Sequence, residues 1–410
     1  MFEGVIYNHI STFVFNLISP QQHGFVTKKS TTGNLTEFSD FVARSMAQRV
    51  EVHACYTDIE KCFDRLSHHA ILTALIKAGF SKPNVEFFTN YLKDRKIYVK
   101  YLNHFSRPIN PPSGIIQGSK LSSLLFILTY NDIHRHVLHS EVLLYADDLK
   151  IFRVINSEHD CHLLQDDINS VSRWLTSIGL NFHPAKCNMM SYTTSITSGE
   201  QFTYYINDTP LQYVSQCKDL GIIFQQNLTF DRHRNEIEQK AYRRLGMVIR
   251  FSKSIPDPNT VKMLYLALVR SILEYGCAIW LPQTECGKKS LERIQARFIR
   301  HLFHKENNFY PLYPNYIEYE LLAENLPIET LRQRRLTEQM KLLRNICSGT
   351  ASSSYLIQKT ELRIPDQRLR PSDKILFHIP NTPHINHLLK SPLICAMNTY
   401  NNMSVKPEIS

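Results

Sequence analysis

Two apolar runs in this sequence carry carboxylates at positions where chemistry could be done. YTDIEKCFD brings Asp58 and Asp64, and LLYADDLKIF brings Asp147 and Asp148. Two hydrophobic strands separated by Asp-Asp form a hairpin whose tip presents two carboxylates side by side. Like charges that close raise each other's pKa unless cations neutralise them. Mg²⁺ does this well, because it takes hard oxygen ligands and keeps positions open for phosphate. Asp58, on an adjacent strand, would complete a donor set for two ions about 3.5–4 Å apart, the geometry for in-line attack on a phosphate. Taken singly neither run decides the matter, since Asp-Asp is common at turns and an acid at a strand end is often a solvated edge.

Two further segments bear on the same chemistry. PPSGIIQGSKLSSLLF places Gly114, Gln117 and Gly118 just before an apolar helix. Glycine lets a ligand approach the backbone, and Gln117 offers both a donor and an acceptor. The plainer alternative is a flexible loop with Ser119 or Ser122 as helix N-cap. In KKSLERIQARFIRHLF, the residues Lys289, Arg293, Arg297 and Arg300 recur on one helix face. Leu291, Ile294, Phe298 and Leu302 fall on the other face. A basic stripe of that kind suits a sugar–phosphate backbone; it is also what a solvated amphipathic helix looks like.

The elements that must hold these residues follow from the pattern. Before position 228, short β-like runs (HACYTDI, EVLLYADDLKIF) alternate with amphipathic helices (HHAILTALIKAGF, SLLFILTYNDIHRHVL, LLQDDINSVSRWLTSIGL). That alternation predicts a sheet with helices on a face. After Asn227 the strands stop, and long helical stretches follow in DRHRNEIEQKAYRRLGMVIRF, TVKMLYLALVRSILEYGCAIW, KKSLERIQARFIRHLF and IETLRQRRLTEQMKLLRNI. Trp174 and Trp280 sit among apolar neighbours and read as core. From Ser348 the chain is rich in Ser, Pro and Asn, with RIPDQRLRP and FHIPNTPH, and predicts irregular structure. At the other end FEGVIYNHISTFVFNLI begins at once with helical spacing and no N-cap, as a truncated element would.

Composition bounds the function classes. The 410 residues are 43% hydrophobic and 20% charged, which excludes a disordered chain and allows two or three domains. The net charge is +10, and residues 231–344 hold 20 Lys and Arg against 13 Asp and Glu. A polyanionic partner suits that block. Nine scattered cysteines contain no CxxC pair, so a zinc knuckle is absent and a reducing compartment, nucleus or cytoplasm, is expected. No signal peptide and no membrane-spanning run is present.

In chain order, these segments resemble the reverse transcriptases of non-LTR (LINE-type) retrotransposons, nearest to the jockey-like lineages. QHGFVTKKSTTGNL is similar to the fingers motif that precedes the palm. YTDIEKCFDRLSHHAIL resembles motif A, SGIIQGSKLSSLLFILTYNDI motif B, YADDLKIF motif C, LNFHPAKCNMM motif D and CKDLGIIFQQNLTF motif E. The resemblance covers at least Gln22 to Phe230 and implies an α+β right-hand polymerase fold. Residues 1–50 would be partial fingers, 51–226 a palm with an antiparallel sheet, 227–347 a helical thumb and 348–410 an irregular tail.

Carried over residue by residue, Asp58, Asp147 and Asp148 match the metal-binding carboxylates, and the carbonyl of Ile59 falls where a further metal ligand is supplied. Two Mg²⁺ ions, with Mn²⁺ as a substitute, are the implied cofactors. Phe63 matches the aromatic position under the incoming sugar, where a ring clashes with a 2′-hydroxyl. Gln117 and Gly118 match the nucleotide-contacting pair, Lys28 or Lys29 the cation for the triphosphate, and Lys186 the proton donor to pyrophosphate. Lys218 lies in a hairpin similar to the one that grips the primer, and Lys289, Arg293, Arg297 and Arg300 would contact backbone phosphates. The implied partners are an RNA template, a DNA primer and deoxynucleoside triphosphates, with no membrane. Ile116 stands where the family usually has Pro, and Cys62 where it usually has Ala. The family's earlier fingers, endonuclease and zinc-knuckle segments are not in this chain, which reads as a fragment. The alternative function is therefore an inert relic that at most binds RNA or DNA non-specifically. A metal-dependent phosphodiesterase or cyclase on a similar acidic palm is a third reading.

Overall fold

The computed structural model describes residues 2–193, 202–282, 284–311, 317–351, 353–363, 376–381 and 384–405. It is a mixed helix-and-sheet, α+β structure that divides into two compact units. The first comprises residues 1–34, 49–215 and 351–354, and the second residues 35–48, 216–350 and 355–410. Among the described residues no helix is long and apolar enough to cross a membrane.

The first unit is built on a five-stranded sheet. Strand Glu51–Thr57 is central, flanked on one side by Asp148–Ile155 and then Glu141–Tyr145, and on the other by Asn188–Tyr192 and then Gln212–Tyr213. All neighbours are antiparallel except the last pair, which is parallel. The central strand is buried from Val52 to Thr57, with His53 bonded to the Tyr204 hydroxyl and the Glu51 carboxylate. Cys55, Leu144, Leu149, Ile151 and Met189 belong to one core with helix Lys120–Tyr130, helix His68–Lys77 and helix Glu158–Ser177. Helix Glu158–Ser177 buries Cys161, Leu164, Ile168, Val171 and Leu175 at three- and four-residue steps. Each fully buried leucine of this kind contributes about 1.5–3 kcal/mol. Helix Phe2–Leu17 buries Val14 in the same core.

The second unit holds a strand pair, Gln216–Asp219 with Ile222–Gln225, and an isolated bridge between Leu362 and Phe377; its other regular elements among the described residues are helices. Helix Asp231–Phe251 coincides with its sequence pattern and packs against helix Glu285–Asn307. The stretch expected as one helix from Thr260 to Trp280 is broken instead. It runs as α-helix Pro258–Tyr265, a π-turn Leu266–Arg270 and a last turn Ser271–Glu274, and Gly276 then takes φ +59°. Trp280 is core, with its indole N–H donating to the Tyr275 carbonyl at 2.8 Å. Trp174 is only half-buried, its ring against those of Tyr130 and His136. The tail is more regular than its composition predicts, with helices Ser354–Lys359, Ile385–Leu388 and Pro392–Val405. Leu393, Ile394, Ala396 and Met397 supply the apolar surface that orders the last of these. RIPDQRLRP beyond Arg363, and Thr382 and Pro383 of FHIPNTPH, lie outside the described residues.

Candidate active site

The sheet register brings the sequence-predicted acids to one edge. Thr57 pairs with Leu149 across the central strand, and Tyr145 pairs with Asp148 across the hairpin. Asp58, next after Thr57, therefore stands at the same end of adjacent strands as Asp147 and Asp148. The hairpin closes through two residues, Ala146 and Asp147. Ala146 has φ +58°, a left-handed value that two-residue hairpin turns use and that glycine usually supplies. For an alanine it costs about 1–2 kcal/mol.

Gln22 holds this turn. Its Nε2 donates to the Ala146 carbonyl at 3.2 Å, and its Oε1 accepts the Ala146 N–H at 2.9 Å. The same Oε1 takes the Gly24 N–H at 2.8 Å. Residues 21–23 run beside the hairpin, with Leu144 N–H to the Gln21 carbonyl at 3.0 Å and His23 N–H to the Leu144 carbonyl at 2.8 Å. Each such bond contributes about 0.5–1.5 kcal/mol, enough in pairs to offset the turn's strain. Gly24 allows the approach, because a Cβ there would lie 2.0 Å from the Ala146 nitrogen.

Asp58 and Asp147 each have a protein partner. Asp58 Oδ2 pairs with the Lys186 ammonium at 3.2 Å, both side chains well exposed. An exposed pair contributes at most about 1 kcal/mol, so it exchanges readily. Asp147 Oδ2 accepts from the Cys62 thiol at 3.2 Å. Burial, and after it Asp147, push that thiol far above its ordinary range, so it stays an S–H donor. Tyr130 is wholly buried, its hydroxyl raised well up by burial first and by Asp147 next. The Asp58 backbone is fixed through its carbonyl, which accepts His183 N–H at 2.8 Å, and its N–H, which donates to Cys187 Sγ at 3.4 Å. Ile59 is buried and bridges to Phe182. Among the described residues no three His, Cys, Asp or Glu side chains are gathered closely enough to hold a metal ion. The donor set, carboxylate oxygens along one strand edge, suits hard divalent cations in kind.

The motif A and motif B residues meet. Phe63 lies on a one-turn helix, Cys62–Arg65, entered where the chain turns at Lys61 with φ +44°. Its ring stacks on Phe126 at 5.0 Å and meets Phe25 edge-on at 6.4 Å. Gln117 Nε2 donates to Asp64 Oδ1 at 2.8 Å. Gly114 packs on the Asp64 backbone, where a Cβ would come within 2.5 Å, and Ser119 caps the following helix. Gly118 has φ +85° and open space around it. Arg95 braces the loop through the Gly114 and Ser113 carbonyls at 2.6 and 3.2 Å.

The remaining candidates are dispersed. Lys28 is exposed, with φ +67°, and the Lys29 ammonium donates to the Pro20 carbonyl. Lys218 is exposed on the strand pair of the second unit. In helix Glu285–Asn307, Leu291, Ile294, Phe298 and Leu302 are buried while Lys289, Arg293 and Arg297 are exposed and Arg300 is half-buried.

A family model described as "Reverse transcriptase (RNA-dependent DNA polymerase)" matches residues 1–249. The chain belongs to the reverse transcriptase family. Its relatives group this reverse transcriptase with the enzymes of non-LTR retrotransposons. The probable RNA-directed DNA polymerase from transposon BS of Drosophila melanogaster is 24% identical over 316 residues, 73% of this chain and 34% of that protein. The RNA-directed DNA polymerase from mobile element jockey of Drosophila funebris is 23% identical over 317 residues, again 73% and 34%. The chain thus spans about a third of the length of these curated relatives. Among solved structures, apo telomerase from Candida tropicalis aligns over 86% of this chain and 55% of that one, at 11% identity and a TM-score of 0.45. The contacts of Gln22, Cys62 and Arg95 are the part of the candidate site that sequence reasoning did not assign. Gln22 stands in a run of turn-forming residues, and its partner is 124 positions away, so no local pattern announces it.

Proposed function

We propose that this chain is the polymerase portion of a non-LTR retrotransposon reverse transcriptase, extending a DNA primer on an RNA template from deoxynucleoside triphosphates. The observation that carries this is the register that sets Asp58, Asp147 and Asp148 at the same end of two adjacent antiparallel strands. Two Mg²⁺ ions, or Mn²⁺ in their place, held by these carboxylates and the Ile59 carbonyl, would supply an activated primer hydroxyl and charge stabilisation at the phosphate. The chain's own groups position and neutralise. The Phe63 ring, fixed against Phe126, lies under the incoming sugar and rejects a 2′-hydroxyl. Gln117, steadied by Asp64, contacts the nucleotide with Gly118. Lys28 or Lys29 meets the triphosphate, and Lys186, drawn to the site by Asp58, gives a proton to the leaving pyrophosphate. Residues 51–226 act as palm and 227–347 as thumb, with 1–50 contributing to the fingers. Lys218 touches the primer, and Lys289, Arg293, Arg297 and Arg300 take backbone phosphates.

The test is primer extension on poly(rA)–oligo(dT) with Mg²⁺ or Mn²⁺, wild type beside Asp147→Ala. Extension by wild type alone is expected. Extension by Asp147→Ala would overturn the assignment of the site. No extension by a folded, template-binding wild type would favour the second reading, an inert relic that binds nucleic acid. That reading draws on the absence, among the described residues, of three acids gathered at metal-holding distance.

A further inference from the structure

We infer that Gln22 is a positioning residue for the catalytic carboxylates: its side-chain amide locks the Ala146–Asp147 turn in the conformation that aims Asp147 and Asp148 at the metal ions. The inference rests on the polymerase reading for what is positioned, and on geometry alone for how. Gln22 is 1% exposed, and both ends of its amide are spent on one backbone unit, the N–H and carbonyl of Ala146. That residue has φ +58°, a conformation an alanine leaves unless its surroundings over-determine it. The rest of the cradle is built to the same end. Gly24 N–H fixes Oε1 in place, and only a glycine fits against the Ala146 nitrogen there. Asn34, fully buried, donates from Nδ2 to the Leu144 carbonyl at 3.1 Å, next to the main-chain bonds of Gln21 and His23. A side chain that only filled space would not need a donor on the carbonyl and an acceptor on the N–H of one residue, the two peptide groups that flank its strained φ. Gln22 touches neither nucleotide nor ion; it acts through the turn.

The experiment compares wild type with Gln22→Met, which keeps length and apolar bulk and removes both hydrogen bonds, with Ala146→Gly, and with the double variant. Three quantities are read on the 410-residue chain: amide hydrogen exchange over residues 142–150 without metal, Mn²⁺ affinity, and the Mg²⁺ dependence of primer extension. For Gln22→Met we expect exchange at least tenfold faster in that peptide and Mn²⁺ binding weaker by about 10–100-fold, the range for groups that orient metal ligands. Half-maximal extension shifts to higher Mg²⁺, and template–primer affinity stays within about twofold. Glycine adopts the turn without a Cβ penalty, so the double variant should lose several-fold less than Gln22→Met alone. Unchanged exchange and Mn²⁺ affinity overturn the inference, and so does a loss that Ala146→Gly leaves untouched. If Gln22→Met does not fold, Gly24→Ala replaces it, since its Cβ pushes on the same nitrogen and should give the same signature. A wild type that fails to extend primers while Gln22→Met still speeds exchange and weakens Mn²⁺ binding would end the polymerase reading and leave the positioning inference standing.

Discussion

The carboxylate hairpin and the basic helix Glu285–Asn307 are built on opposite principles. The hairpin tip depends on single positions: an alanine held at positive φ, one glutamine amide that matches that alanine's N–H and carbonyl, and one glycine whose Cβ would clash with the alanine nitrogen. The helix depends on an average. Any cation at its exposed positions adds to the same field, and any large apolar residue on its inner face adds to the same core. Reaction at a phosphate needs charges placed to a fraction of an ångström, whereas holding a polyanion needs only enough charge on the right side. The two regions should therefore respond differently to the same kind of change.

The largest expected effect lies at the hairpin. Asp147→Asn keeps shape and removes the charge, and should reduce primer extension by about a thousandfold or more, several kcal/mol of transition-state stabilisation. Single-turnover extension measures it, and a loss below tenfold would mean that Asp147 is as replaceable as a helix arginine. Next comes the core face of the helix. Phe298 is fully buried, with its ring stacked on Tyr265 at 3.9 Å, and Phe298→Ala should lower stability by about 3–5 kcal/mol in a denaturant titration. A cost under about 1 kcal/mol would show that this face is not the core it resembles. Phe63→Ala should leave folding intact and raise incorporation of ribonucleotides relative to deoxynucleotides by about tenfold, the scale of a pocket losing one steric contact. Unaltered selectivity would return Phe63 to the role of a packing ring between Phe25 and Phe126.

What the sequence disclosed divides along the same line. Periodic features were legible: helix Asp231–Phe251 coincides with its pattern, the inner face of helix Glu285–Asn307 is buried as spaced, and the acid-bearing hairpin forms, although its turn is Ala146–Asp147, one residue before the expected Asp-Asp. The three acids stood out as candidates because they close apolar runs that follow one another in the order the resemblance implies. Features set by distant partners were not. The one-turn helix that carries Phe63 was not announced, nor was the end at Glu274 of the helix expected through Trp280. The tail's low-complexity composition hid a helix whose apolar residues find cover only in the folded unit. Gln22 was visible as a letter in a motif, yet its function depends on a peptide unit 124 residues on.

The smallest effect tests the averaging principle itself. Arg297 is exposed on helix Glu285–Asn307 and is one of four cations on that face. If it meets one phosphate, Arg297→Gln should weaken template binding evenly across sequences and reduce the slope of log affinity against log salt by about 0.7–0.9. Extension at saturating template should not change. Arg293→Gln should do the same, and the two together should subtract about twice as much, because charges that act through a shared field add. A single arginine that removed most of the affinity, or a pair that failed to add, would show that the helix grips one defined phosphate by geometry. It would then work as the hairpin does, by position.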